Sequence, residues 1–461
     1  MKRESGQRTK REKDGNGETV NAAVRIPTRA VPTAFLAALL LAAPQAAAEP
    51  LEKELGKLLL DHPQIQSAIK SVEANGYAID KAKGGYYPKV SMLGDIGPEL
   101  IDSPGTRAIG DGGDFVRTRK TTSLTVTQNL FNGSLTSANV RAAQINRAIA
   151  QVTLRSTTQS TMFEAILGYI DVLRQKRLIE LARENEATIQ RQLNLEDERV
   201  LRGSGVAVDV LQAKSRLQIA KERLVSFEGA LQDAVSRYIQ VFNRPPSLDS
   251  MTDPVPPVEM IPSDLQRAVE IAVAENPAIN NSGANIEAAR ERKNVVAAEM
   301  YPSIDLISKM NYEDDKNTVI GTRRDYSVVV QASWDLFTGL TTKAGKSQAA
   351  FEYMASKDNH RQVTRKVIEQ TRLAWQALLT ARSRLELLEN AVNIASEVFE
   401  SRKKLREAGK ETVINVLDAE NEVNNAQINY TGASYEERTA AFQLLLAMGR
   451  LNAQTLGIAV E

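Results

Sequence analysis

The sequence predicts an α+β membrane protein in which two similar halves each join a β-hairpin to a long helical hairpin. Three observations lead to this fold class. Motifs recur at a spacing of just over 200 residues, two long spans of the chain lack proline, and four short segments alternate apolar with polar residues. The recurring motifs indicate the two halves, the proline-free spans indicate the helices, and the alternating segments indicate the strands.

Residues 1–48 have the pattern of an export signal. Eight lysines and arginines precede ten consecutive apolar residues, Ala34–Ala43, and small residues lie just before Glu49. Ten residues are too few to span a bilayer, and a signal peptidase cleaves after small residues of this kind. The alternative is a basic disordered tail with an apolar stub. The absence of cysteine fits an exported chain without disulfides.

An internal repeat organises the remainder. Pro63 corresponds to Pro277 at an offset of 214, and the motif L-F-x-G recurs at 130–133 and 336–339 at an offset of 206. A period of this length indicates a duplicated domain rather than a solenoid. The predicted parts are a first repeat at 49–248, a linker at 249–275, a second repeat at 276–450 and a C-terminal tail at 451–461.

The proline-free spans predict the long helices, because proline is costly inside a helix. No proline falls between Pro104 and Pro245 or after Pro302. Helices over about 134–202 and 340–408 would each measure roughly 100 Å. Glycine-containing turns at 203–209 and 409–415 would then reverse the chain. The first returning helix carries a heptad stripe typical of side-by-side helix packing, namely Leu217, Ala220, Leu224, Phe227, Leu231, Ala234, Tyr238 and Val241.

Two β-hairpins are predicted at about 88–131 and 302–337. In the segment 325–336 the apolar residues alternate with polar ones except at Val329, and about ten residues of such alternation are typical of a transmembrane β-strand. The alternative is a half-buried sheet that packs on the helices. Trp334 lies near a strand end, where a membrane-interface aromatic belongs, although such a tryptophan is as often part of a core.

Four strands cannot enclose a lumen, since eight strands only just leave an interior filled by side chains. In lipid, every strand edge must be paired. The chain is therefore expected to oligomerise, and three copies would give a 12-stranded barrel and twelve long helical passes. A homotrimer in an outer membrane, in contact with its lipid, is the predicted assembly.

The layout resembles the TolC family of outer-membrane efflux and secretion channels. The resemblance rests on the two Tyr-Pro junctions, the two L-F-x-G motifs, and the turns "GSGVAVDVLQA" and "GKETVINVLDA", and it covers about residues 51–450. The stretch "LEDERVLRGSGVAVDVLQAKSRLQIAKERL" is most similar to the type I secretion branch, including channels for large adhesins. The resemblance implies a trimeric outer-membrane β-barrel that continues into a periplasmic coiled-coil tunnel.

The same resemblance implies a gate at the periplasmic end of the tunnel. Asn415 and Asp418 are three residues apart and so share one helical face. They match the two acidic positions that constrict the closed tunnel in the family, although Asn415 is not an acid. Asp209 and Glu411 complete the predicted constriction, but Glu411 replaces the family's arginine and Arg406 replaces an aromatic. The expected contacts for a periplasmic adaptor are Gly203, Ser204, Gly205, Gly409 and Lys410.

The function expected from the resemblance is a passive exit channel of a type I secretion system, working with a periplasmic adaptor and an inner-membrane ABC transporter. One alternative is the outer component of a small-molecule efflux pump driven by protons. An alternative of another class is a periplasmic coiled-coil adaptor or scaffold. His62 and His360 are isolated, and no phosphate loop, nucleophile motif or metal motif occurs in the sequence. We therefore expect neither an enzyme nor a cofactor, and the near-neutral charge of +1 does not favour nucleic acid.

Overall fold

A computed structural model describes residues 50–108 and 115–458 of the chain, so the predicted export signal lies outside the described residues. The first half contains α1 (Leu51–Asp61), α2 (Pro63–Lys83), β1 (Lys89–Ile101), the short α3 (Pro104–Ala108), β2 (Phe115–Phe131), α4 (Leu135–Leu201) and α5 (Ala207–Phe242). The second half contains α6 (Leu265–Glu275), α7 (Pro277–Ala298), β3 (Ser303–Asp314), β4 (Thr322–Ser333), α8 (Thr341–Glu407) and α9 (Val413–Ala447). The four strands and the long helices confirm the predicted fold class.

The two halves begin their second helices in the same way. The His62 side chain accepts a hydrogen bond from the backbone N–H of Gln64, and Asn276 accepts one from Ala278. A proline follows each of these residues at the first helical position, where a missing N–H costs nothing. His62 therefore caps a helix, and burial lowers its pKa so that the neutral ring can accept.

The four strands form one antiparallel sheet in the order β1-β2-β3-β4. Two adjacent rows of cross-strand partners each contain similar side chains. One row is apolar (Met92, Leu124, Met310, Tyr326), and the adjacent row is polar (Ser91, Thr125, Lys309, Ser327). Apolar side chains such as Met92 and Val328 are 74% and 70% exposed. The sheet therefore does not cover its apolar face with helices, which excludes the half-buried alternative.

The sheet has two open edges, β1 and β4, because only β2 and β3 have partners on both sides. Trp334 lies just beyond β4, is exposed, and donates its indole N–H to the carbonyl oxygen of Met300 at 3.2 Å. This contact places the tryptophan where the sheet meets the end of α7. Its role at a membrane interface remains a prediction.

Helices α4 and α8 contain 67 residues each and end in the same turn. Gly203 and Gly409 have φ values of 76° and 72°, a left-handed conformation that suits glycine. In both turns the glycine N–H and the next N–H bond to carbonyl oxygens of the last helical turn. The repeated motif thus produces one turn twice. None of the helices in residues 50–108 and 115–458 has the length and apolar composition needed to cross a membrane.

The four long helices pack as a layer in the order α5-α4-α9-α8, since α4 contacts both α5 and α9, and α9 also contacts α8. The main core lies where this layer meets the shorter helices, around Tyr169, Leu378 and Phe442. Residues 243–264 cross the layer's surface, where Tyr169 and Tyr435 hold Thr252 and Asp253 by hydrogen bonds.

The repeated sequence ends "VFNR" and "AMGR" both finish on an arginine that binds a buried or half-buried acid. Arg244 binds Glu54 of α1, and Arg450 donates to the two carboxylate oxygens of Glu275 of α6 through Nη2 at 2.6 Å and Nε at 2.8 Å. The Arg450 guanidinium lowers the pKa of Glu275. These pairs tie the ends of α5 and α9 to the short helices. Within the tail predicted at 451–461, Leu451 and Ile458 are buried.

Candidate functional site at the tips of the helical hairpins

The two glycine turns lie beside each other at one end of the helix layer. A buried apolar cluster joins the hairpins there, with Ile189 and Leu193 from α4, Val210, Ala213, Leu217 and Ala220 from α5, and Val413 and Leu417 from α9. We call this region, residues 189–220 and 402–424, the hairpin tip. It contains all the residues that we predicted from the sequence to form a gate or to contact an adaptor.

Glu411 and Asn415 lie on either side of Thr412, the N-cap residue of α9. Glu411 Oε1 accepts a hydrogen bond from the backbone N–H of Thr412 at 2.9 Å and another from the side-chain amide of Asn415. These two bonds lower the pKa of Glu411, with the Asn415 bond the larger cause. Thr412 caps the helix by accepting from Asn415 N. Both predicted gate residues therefore also have a local structural role.

Asp418 lies three residues after Asn415 on α9 and pairs across the hairpins. Its Oδ1 accepts from Arg216 Nη2 on α5 at 2.7 Å, and both side chains are almost half exposed. An exposed pair of this kind contributes only about 0–1 kcal/mol to stability. The pair therefore matters more for the distribution of charge at the tip than for the stability of the fold. Asp209, the remaining predicted gate residue, lies in the first turn of α5 and is half-buried.

A stronger cross-link joins α4 to α8. Glu196 is 1% exposed and accepts from Arg199 at 2.7 Å and from Arg406 at 3.0 and 2.8 Å through its two oxygens. Arg406 also donates to the carbonyl oxygen of Glu411 at 3.0 Å. Because Glu196 is buried, its negative charge must be stabilised by these two arginines. We call Glu196–Arg406 and Arg216–Asp418 the two tip ion pairs.

Sequence reasoning missed Glu196 and Arg216 as members of this site. The signal for Glu196 is its place in the series Ile189, Leu193, Glu196 and Val200, whose spacings of four, three and four place the acid in an otherwise apolar seam. A buried acid in such a seam needs a partner. Arg406, noted only as a departure from an aromatic, is that partner.

The predicted adaptor-contact residues occupy the outermost part of the tip. Gly203, Ser204, Gly409 and Lys410 are exposed, and Gly205 is half-buried. A Cβ atom on Gly205 would lie 2.6 Å from the backbone nitrogen of Val200, so this close approach requires glycine. Among the described residues, no group of three histidine or acidic side chains is arranged to hold a metal.

The comparisons with known proteins agree with this architecture. The family model described as "Outer membrane efflux protein" matches residues 55–243 and 268–450, one match in each repeat. The outer membrane efflux protein BepC of Brucella suis is 25% identical over 92% of this chain and 91% of its own length. The alkaline protease secretion protein AprF of Pseudomonas aeruginosa is 24% identical over 86% of this chain and 83% of its own length.

The fold is also that of a solved outer membrane protein, VceC of Vibrio cholerae. That structure gives a TM-score of 0.73 at 15% identity and covers 87% of this chain and 96% of the solved chain. The family and the fold are those of channels, not enzymes. The chain belongs to the outer membrane efflux protein family, and is thus a TolC-family outer-membrane channel that extends into the periplasm.

Proposed function

We propose that this chain forms the outer-membrane exit channel of a type I secretion system and passively conducts a protein substrate. The observation that carries the proposal is that both layers have open edges, the sheet at β1 and β4 and the helix layer at α5 and α8. One face of the sheet is also polar. Closing both edges with further copies of the chain creates a continuous wide conduit with a polar lining. AprF, named for the secretion of alkaline protease, supports a protein as cargo.

The helix layer carries apolar stripes on the two helices that form its edges. Val208, Leu211, Ile219 and Val225 on α5 are exposed, as are Leu387, Ile394 and Leu405 on α8. Exposed stripes of this length mark an interaction surface. Pairing α5 of one copy with α8 of the next would cover both stripes and simultaneously pair β4 with β1. A homotrimer satisfies this with twelve strands, and the predicted outer-membrane lipid would cover the apolar row.

The hairpin tip is the proposed gate of this conduit. The tip ion pairs join the α4–α5 hairpin to the α8–α9 hairpin, so the tip can widen only when they separate. In a trimer, three Asp418 side chains would stand around one axis and favour cations. The exposed turns around Gly203 and Gly409 are the proposed contact for a periplasmic adaptor, through which an inner-membrane ABC transporter would supply the energy.

Asp418→Ala is expected to reduce cation selectivity, because it removes one negative charge per chain and leaves Arg216 unpaired. We expect the potassium-to-chloride permeability ratio to fall by about a factor of two or more. Reversal potentials across planar bilayers with a potassium chloride gradient measure it. Arg216→Ala is the matched control and should raise the ratio. Equal ratios in both variants and the parent would remove Asp418 from the conducting path.

Deletion of the gene that encodes this chain distinguishes type I protein secretion from small-molecule efflux. If the channel serves type I secretion, the culture medium should lose a large protein while resistance to small toxic compounds is unchanged. The reverse result would favour small-molecule efflux, a function that the name of BepC keeps open. The third alternative, a periplasmic adaptor or scaffold, is not retained because the chain belongs to an outer-membrane family.

A further inference from the structure

The seam between α9 and α4 contains two buried polar residues close to the tip ion pairs. Val413, Leu417, Glu420 and Asn424 follow spacings of four, three and four, as expected for one packed face of a helix. Glu420 and Asn424 are only 5% and 4% exposed. A second series on α9, Val423, Ala426 and Tyr430, has spacings of three and four and is half-buried. A helix inside a layer has two neighbours and therefore two seams.

The hydrogen bonds of this buried pair are incomplete. Asn185 of α4 donates its side-chain amide to Glu420 Oε1 at 3.2 Å. Glu420 Oε2 and both amide atoms of Asn424 are buried and have no hydrogen-bond partner among the described residues. An ionised carboxylate with one unpaired oxygen is costly in such a place. A protonated carboxyl is neutral, and its O–H can donate to an acceptor such as the Asn424 amide oxygen one helical turn away.

The charged groups around Glu420 do not compensate for its charge by direct contact. From α4, Arg191 acts on Glu420 through its positive charge but without a hydrogen bond. From α5, Arg223 donates to the side-chain oxygen of Asn425 at 3.0 Å. Glu397 and Glu400 lie on α8 before its turn at Gly409, and both are exposed. The carboxyl group therefore sits in a seam where the neutral form fits better than the anion.

We propose that Glu420 is a proton-binding site that couples the α4–α9 seam to pH. With its proton, Glu420 allows α9 to stay packed on α4. Without the proton, the buried charge weakens this seam two residues beyond Asp418. The inference rests on the proposed role of the hairpin tip as a gate, because separation of α9 from α4 opens the tip.

The direction of the pH effect on the seam follows from the raised pKa of the Glu420 carboxyl group. Burial raises the pKa of Glu420 to about 7, above the ordinary value of 4.5. The closed seam therefore holds a proton that an opened, solvated seam releases, so the closed seam loses stability as pH rises from 4.5 to 7. Between pH 5 and 8.5 the ratio of open to closed seam can rise by at most roughly 70-fold.

Cysteine accessibility in the purified, full-length channel tests this proposal, since the chain has no native cysteine. Leu417→Cys places a thiol at a buried α9 position of the α4–α9 seam, and Lys214→Cys, in a separate channel, places one on the exposed surface of α5. The ratio of their maleimide reaction rates cancels the pH dependence of the thiol. We expect this ratio to rise about tenfold or more between pH 5 and 8.5.

Glu420→Gln should remove that rise and keep the ratio low, because glutamine is neutral at every pH. Glu422→Gln changes an exposed neighbour and should behave as the parent does. Asn185→Asp is a second variant that still tests the idea if Glu420→Gln does not fold. Its added carboxylate should move the midpoint of the rise to higher pH. A flat parent profile, or a parent-like profile in Glu420→Gln, would overturn the proposal.

Bilayer conductance of the same channels separates this inference from the proposed gate. If thiol accessibility follows Glu420 but conductance responds neither to pH nor to loss of a tip ion pair, the proton site stands and the gate proposal fails. If conductance responds to loss of a tip ion pair while accessibility ignores Glu420, the gate stands and the proton site fails.

Discussion

Arg406→Ala is expected to open the hairpin tip. The substitution leaves Glu196, which is 1% exposed, with Arg199 as its remaining guanidinium partner. Removing the sole partner of a buried charge costs about 3–5 kcal/mol, and because Arg199 still pairs with Glu196 at 2.7 Å the cost here lies below that range. Arg406 lies on α8 and Glu196 on α4, so the cost falls on the contact between the hairpins. We expect a severalfold increase in single-channel conductance in planar bilayers.

Arg402→Ala is the matched control for this experiment. Arg402 also donates to a backbone carbonyl at the tip, that of Asn415, at 3.0 Å, but both residues belong to the α8–α9 hairpin. Its loss should leave conductance close to that of the parent. Glu196→Gln should open the tip less than Arg406→Ala, since glutamine leaves no buried charge. If Arg406→Ala conducts like the parent and only lowers thermal stability, the ion pair is structural and does not close the channel.

The elements with a strong local signal were predictable from the sequence. The proline-free spans and the repeated glycines located α4, α8 and their turns, because proline and left-handed glycine act through the backbone alone. The alternation in the strands gave the two faces of the sheet. The row from Met92 to Tyr326 confirms that alternation, since each side chain's face follows from its place in the strand.

The partners within the tip were not predictable in the same way. Arg216 and Asp418 are 202 residues apart, and Glu196 and Arg406 are 210 apart. Which residues meet depends on how far one hairpin is shifted along the other, and that shift is fixed by packing of the whole layer. Glu420 illustrates the limit well. Its face of α9 is buried because α9 packs on α4 as well as on α8, and the sequence does not specify that second neighbour.

Val328→Arg is expected to prevent assembly of the channel. Val328 lies in the middle of β4, in the row that also contains Ser308, Val126 and Val90. It is 70% exposed, and on this face the described residues offer no helix to cover it. If that face meets acyl chains, an arginine near the middle of the bilayer costs about 2–4 kcal/mol per chain. Three chains would multiply the loss, so the folded trimer should disappear from detergent extracts of the membrane.

Val329→Arg supplies the matched control, because the next residue of a strand points to the opposite face. Val329 pairs with Ile307 and shares its row with Thr127 and Lys89, on the side proposed to line the conduit. Water can hydrate an arginine there, so this variant should form trimers in amounts close to the parent's. Heat-modifiable migration in gels, with and without boiling, measures both variants. Equal loss in the two would contradict the assignment of the faces, whereas normal trimers from Val328→Arg would mean that the apolar row does not contact lipid.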